Sequence, residues 1–122
     1  MKRITAFLFL LSVSLMAFAG LLTPLLTNVS TTGAGAGINM PQYPNRWYQA
    51  TLSGASAVSA TVEVDGSTDN INWVPMLTIT LPKTGTGAHT DGAATVQTAP
   101  YVRGNLLAIS GIGATVTLIS GE

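Results

Sequence analysis

Cysteine is absent from the 122-residue chain, and with it every disulfide scaffold and thiolate metal site. Charge is scarce as well: Lys and Arg total five, Asp and Glu total five, together 8% of the residues, against about 25% in an ordinary globular domain. A polyanion binder gathers its cations into a patch. Here they are scattered, so nucleic acid is not an expected partner. Disorder requires low hydrophobicity and a large net charge, whereas this chain is 47% hydrophobic with a formal net charge of zero. Length supports one domain, and no repeat of roughly 20–50 residues is visible. What fills the sequence instead is Thr, Ser, Ala, 13 Gly and 6 Pro, the composition of short strands and turns.

The N-terminus stands apart. Met1-Lys2-Arg3 is a positive start, residues 4–19 form an uncharged apolar run, and Ala17-Phe18-Ala19 precedes Gly20. Charged start, apolar core and small-residue exit make the secretory-signal pattern. The run is shorter than the roughly 20 residues of a bilayer-spanning helix, and Pro24 interrupts its extension through Leu21, Leu22, Leu25 and Leu26. Three fates stay open for residues 1–19: a cleaved signal, a retained membrane anchor through residues 1–26, or an apolar helix buried in an assembly. Cleavage before Gly20 would remove Lys2 and Arg3 and leave a net charge of −2.

Residues 20–45 read as an extended Gly/Pro-rich arm. Glycines at positions 33, 35 and 37 exclude a helix interior, and residues 26–31 offer a first strand. From Arg46 the hydrophobic period is two. Residues 47–52 are aromatic and β-branched, and Val58, Ala60, Val62 and Val64 alternate with polar neighbours. Residues 65–70 are turn chemistry. Leu77, Ile79 and Leu81 follow Trp73, with Pro75 pointing to an edge or a bulge. Residues 82–94 read as a long Gly/Thr/Ala loop of the kind that carries interactions. Val96 opens another strand broken at Ala99-Pro100, after which Val102, Leu106 and Ala108 share one face. Residues 110–113 read as a hairpin turn, and residues 114–119 as the closing strand. The expectation is an all-β domain over residues 46–122, an antiparallel sandwich or jelly-roll-like barrel of six or seven strands, preceded by an apolar N-terminal helix.

The residues offer little chemistry. His89 is the sole histidine, and its nearest acid in sequence is Asp91; a nucleophile, base and orienting group must converge for catalysis. Asp65, Asp69 and Asn70 could present oxygens to Ca²⁺, but the ligand spacing of a calcium loop is missing, and an Asx-type turn is the plainer reading. The G-A-G-A-G run lacks the Lys-Ser/Thr of a phosphate loop. Trp47, Tyr48, Trp73 and Tyr101 could fill the core or make an exposed stacking platform. Arg103 suits an ion pair with Glu63 or Asp65 on a neighbouring strand, or an interface contact. Asn28-Val29-Ser30 matches a glycosylation sequon, a motif common by chance. No catalytic, cofactor-binding or metal-ligating residue is assigned.

Several blocks resemble small virion structural proteins of tailed bacteriophages, the head-associated and decoration-like group. They are Thr32-Gly33-Ala34-Gly35-Ala36-Gly37, the Val58–Ser67 alternation, Asp69-Asn70-Ile71-Asn72-Trp73, Ala99-Pro100-Tyr101-Val102-Arg103, and the run Ile109 to Thr117. The resemblance spans roughly residues 26–122; the segment at 1–19 departs from it. It implies a non-enzymatic all-β component of the virion, without cofactor. Its expected partners are the major capsid protein or neighbouring subunits, met through the N-terminal arm and loops, and it is expected to be homo-oligomeric. The other reading is a secreted, periplasmic or membrane-anchored bacterial β-sandwich that binds a glycan or a surface partner. That role needs an exposed aromatic row from Trp47, Tyr48 and Trp73.

Overall fold

Period-two patterning, with β-branched and small residues on both faces, leads the chain into strands. The computed structural model describes residues 22–40, 46–55, 57–83 and 87–121. They form nine strands: β1 (Leu22–Val29), β2 (Gly33–Ala34), β3 (Ile38–Asn39), β4 (Arg46–Gly54), β5 (Val58–Ser67), β6 (Val74–Lys83), β7 (Gly87–Thr95), β8 (Tyr101–Ser110) and β9 (Thr115–Gly121). No helix occurs among the described residues, and none there is long and apolar enough to cross a membrane. The apolar helix expected over residues 1–19 lies outside the described residues.

Two antiparallel sheets result, one ordered β1-β9-β4-β7 and the other β2-β8-β5-β6, with β3 also on β8. Their inner faces share one core. Tyr48, Ala50 and Leu52 of β4 and Val116 and Leu118 of β9 meet Val58 to Val64 of β5, Ile79 and Leu81 of β6, and Val102 and Leu106 of β8. The β5 alternation is as expected, with Val62 and Val64 fully buried. Pro75 sits on an edge strand and at a register shift, because β5 pairs pass from Val64–Leu77 to Asp65–Pro75.

Five details correct the reading from sequence. The strands number nine rather than six or seven, because two short pieces pair on β8 and residues 82–94 are not one loop. Most of that stretch is β7, paired to β4 from Arg46–Thr95 to Gly54–Gly87. Backbone pairing builds β7, whose Gly, Ala and Thr carry no apolar period to read. Val96 opens no strand; it is exposed, and the next strand starts beyond Pro100. In β8 a bulge between the Thr61–Ala108 and Val62–Leu106 pairs shifts the phase, exposing Leu107 and Ala108 and turning Ile109 to the core. Residues 111–114 join strands of different sheets, so this turn crosses the sandwich instead of closing a hairpin.

Residues 22–40 enter both sheets. Leu25, Leu26 and Met40 belong to the core, so the sandwich recruits apolar side chains from before Arg46. Here the glycines serve close approach. The Gly35 N–H donates to the Gly104 carbonyl (2.8 Å), and a Cβ at Gly35 would stand 2.9 Å from the Leu25 carbonyl oxygen.

Candidate functional site

The outer face of the second sheet carries the densest polar chemistry. Val62 and Val64 point inward, so alternation sends Glu63 and Asp65 outward, opposite Asn105 and Arg103 of β8. Arg103 Nε donates to Asp65 Oδ2 at 3.0 Å. Asp65 is only 2% exposed, because the β5–β6 turn folds over it and lays Trp73 on the pair. The Arg103 guanidinium lies 4.4 Å from the centre of the Trp73 ring, within cation–π range. The same indole meets Gly37, where a Cβ would overlap both Asn70 Oδ1 and the ring.

Asp65 Oδ1 accepts no hydrogen bond among the described residues. Glu63 neighbours Asp65 on this face: its carboxyl is held above the usual glutamate range, chiefly by a hydrogen bond to Asp65, with partial desolvation and the Asp65 charge adding to the rise. A protonated Glu63 can donate to Asp65; an ionised one only repels it.

The turn itself is built by two side chains. Ser67 Oγ accepts from the N–H groups of Asp69 (3.2 Å) and Asn70 (2.9 Å). Asp69 Oδ1 accepts from those of Ile71 (2.9 Å) and Asn72 (2.8 Å), and Asn72 Nδ2 donates to Asp69 Oδ2 at 2.8 Å. These bonds, led by those from Asn72, hold the Asp69 carboxyl well below the usual range. Asn70 takes the left-handed conformation at φ 60°, which Asn tolerates. Of the side chains weighed for Ca²⁺, Asp65 binds Arg103 through Oδ2 and Asp69 is engaged by the backbone of its own turn. No group of three or more His, Asp or Glu among the described residues is placed to hold a metal ion.

Beside this turn a cleft of about 550 Å³ runs from Ser67, Asn72 and Met76 to residues 97–99. Its lining among the described residues is neutral, from Ser67, Thr68 and Asn72 to Met76, Gln97 and Thr98. A second polar cluster closes the same end of the sandwich from inside. Buried Arg46 donates to Ser120 Oγ at 3.2 Å, and burial raises the Tyr48 hydroxyl above its usual range despite Arg46 and a bond to Ser120.

The aromatic residues weighed as a platform are divided. Tyr48 is in the core, Trp73 is half-buried on Arg103, and Trp47 is 48% exposed on the outer face of the other sheet. They form no row. His89 and Asp91 lie on β7, paired with Leu52 and Ala50 of β4, not on a loop. Asn28 of the sequon is exposed at φ 48° and bonded to Thr117. The sequence reading anticipated the Arg103 ion pair but missed its Trp73 cover and the Arg46–Ser120 contact. Both join residues far apart in sequence, and no local pattern announces them.

No family model matches the chain, and no curated protein does. Among solved structures it is similar to the SPBc2 prophage-derived protein YomS, with a TM-score of 0.49 at 12% identity over 83% of this chain and 91% of that one. It is also similar to a chain of the infectious bursal disease virus Gx strain structure, with a TM-score of 0.33 at 9% identity over 81% of this chain and 31% of that one. Neither score is high enough to carry an argument about the role of this chain.

Proposed function

We propose that the protein is a non-enzymatic structural subunit of a bacteriophage particle, a decoration or other head-associated protein that packs against its own copies and against the major capsid protein. The observation that carries this reading is the strand order. With β2 and β3 taken as one interrupted strand, β1-β9-β4-β7 facing β2/β3-β8-β5-β6 is the order of an eight-stranded jelly roll, an architecture used by viral capsid and lectin domains. Fold alone does not assign function. Two further observations favour the particle: the resemblance of several sequence blocks to phage virion proteins, and a polar chemistry spent on holding turns and strand ends. A nearly charge-free surface can meet identical copies without like-charge repulsion, and symmetric assembly repeats each contact many times. A glycan-binding module would need the aromatic row that Trp47, Tyr48 and Trp73 do not form.

Quantitative mass spectrometry of gradient-purified particles tests the proposal. The expected result is this chain in a fixed ratio to the major capsid protein. Recovery only from the culture medium or periplasm, starting at Gly20, would instead establish the secreted module.

A further inference from the structure

A β-sandwich has four sheet edges, and proteins blunt such edges with proline, bulges, breaks or charge, because an open edge invites another strand. Three edges here are blunted. Edge strand β1 carries Pro24 and two register shifts against β9. The β2/β3 edge is broken into two-residue pieces. Edge strand β6 carries Pro75 and Pro82 and the shift beside Val64; proline has no N–H to offer a further strand. Among the described residues the fourth edge, β7, runs nine residues without proline, in unbroken register with β4, and carries a single acid, Asp91, whose Oδ1 accepts from the Gly92 N–H at 2.8 Å.

We infer that β7 is the surface through which two copies of this chain join, by antiparallel pairing of β7 with β7 about a two-fold axis at Thr90. The inference goes beyond the particle role and does not depend on it. Its register follows from self-complementarity. Thr90 bonds Thr51 across the strands (Oγ1–Oγ1 3.0 Å), and Thr51 pairs with Thr117 of β9. An axis at Thr90 would carry this threonine ladder into the second copy, and cross-strand threonine pairs are favourable. The same axis sets His89 opposite Asp91 of the second copy, and Asp91 opposite its His89. Asp91 Oδ1 already accepts from the Gly92 N–H of its own chain at 2.8 Å, and the self-pair would add a reciprocal His89–Asp91 contact that a foreign strand without that pattern lacks. Ala88 would face Gly92 of the second copy. The Trp47 indole already lies over Gly92 within its own chain, so the neighbouring copy's Ala88 would cover part of its exposed ring.

The chain has no cysteine, so single cysteines report on this register directly. Residues directly opposed in an antiparallel pair have Cα atoms about 4.5–5.5 Å apart, within disulfide reach. Thr90→Cys, Ala88→Cys and Thr80→Cys, the last on edge strand β6, are each introduced into the full chain at exposed positions. Each is oxidised at low concentration and read by non-reducing gel and intact mass, with circular dichroism as the folding control. Thr90→Cys should give a disulfide-linked dimer roughly tenfold faster than the other two, because only position 90 meets itself across the axis. A folded Thr90→Cys chain that stays monomeric, or equal cross-linking at position 88 or 80, would overturn the inference. Should Thr90→Cys not fold, the charge variants decide. Asp91→Lys should abolish the dimer in gel filtration, whereas the double exchange His89→Asp/Asp91→His, which keeps the opposed pair, should retain it; a dimer that survives Asp91→Lys, or is lost in the double exchange, would overturn the inference equally. Cross-linking in the purified chain is independent of particle content, so the failure of either proposal leaves the other standing.

Discussion

Replacing Arg103 with Met would strand a buried carboxylate, and the size of the effect follows from the geometry. Asp65 is 2% exposed, its Oδ2 is bonded to Arg103 Nε at 3.0 Å, and its Oδ1 accepts no hydrogen bond among the described residues. Removing one partner of a buried ion pair costs about 3–5 kcal/mol, because the other charge is left uncompensated. The Arg103 side chain is 24% exposed, so water already shares its charge and the lower end applies. The stacked Trp73 adds about 0.5–1 kcal/mol of cation–π attraction. The expected loss for R103M is therefore about 3–4 kcal/mol, or a fall in Tm of more than about 12 °C for a domain of this size. Neutralising the stranded acid should recover a good part of that, so D65N/R103M is predicted to be more stable than R103M by about 1–2 kcal/mol. Urea unfolding of the four chains of this cycle measures both numbers. An R103M cost below about 1 kcal/mol, or a double variant no better than R103M, would refute the view of a buried, mutually dependent pair.

Other predictions follow from the same face of the sheet. Glu63 is held above its usual range, so its protonated form is favoured by folding, and that contribution is present at low pH and lost as pH rises through the raised value. E63Q, whose amide can donate to Asp65 Oδ1, should therefore gain a few tenths to about 1 kcal/mol at neutral pH, an advantage that urea titrations at falling pH should show shrinking. Asp69 is shifted the opposite way: its contribution is present above the ordinary carboxylate range and lost as pH falls. Unfolding midpoints of D69A should accordingly change less between pH 7 and pH 3 than those of the parent chain. G37A should cost about 1–3 kcal/mol through overlap with Trp73 and Asn70, read as a lowered urea midpoint.

Much of the fold was written locally. Val58 to Val64 and Leu77 to Leu81 alternate because each strand buries one face, and a period of two survives any arrangement of neighbours. Turn chemistry was legible over residues 65–70, since Ser, Asp and Asn bond to backbone within a few residues, but Asp65, Gly66 and Ser67 complete β5 and the turn runs on to Asn72. The misreadings share a cause: non-local pairing. Residues of β7 have no apolar period and become a strand because β4 presents a free edge to them. Gly35 and Gly37 look like flexible linkers, yet β8 and Trp73 approach them too closely for a side chain. The bulge that turns Ile109 inward depends on the register with β5, which nothing within β8 specifies. At the candidate site the mid-strand Arg103 pointed to an acid on the neighbouring strand, but the sequence left Glu63 and Asp65 open as its partner. Trp73 could not be added, because its position is set by how the turn folds back over the sheet.

In the proposed role this neutral two-sheet domain is repeated through a phage particle. A cryo-electron reconstruction of purified particles tests it most directly. The predicted result is density for a β1-β9-β4-β7 sheet packed on a β2-β8-β5-β6 sheet at symmetry-related positions on the capsid. A particle complete at that resolution with no such density, and the chain found only in the unassembled fraction, would contradict it.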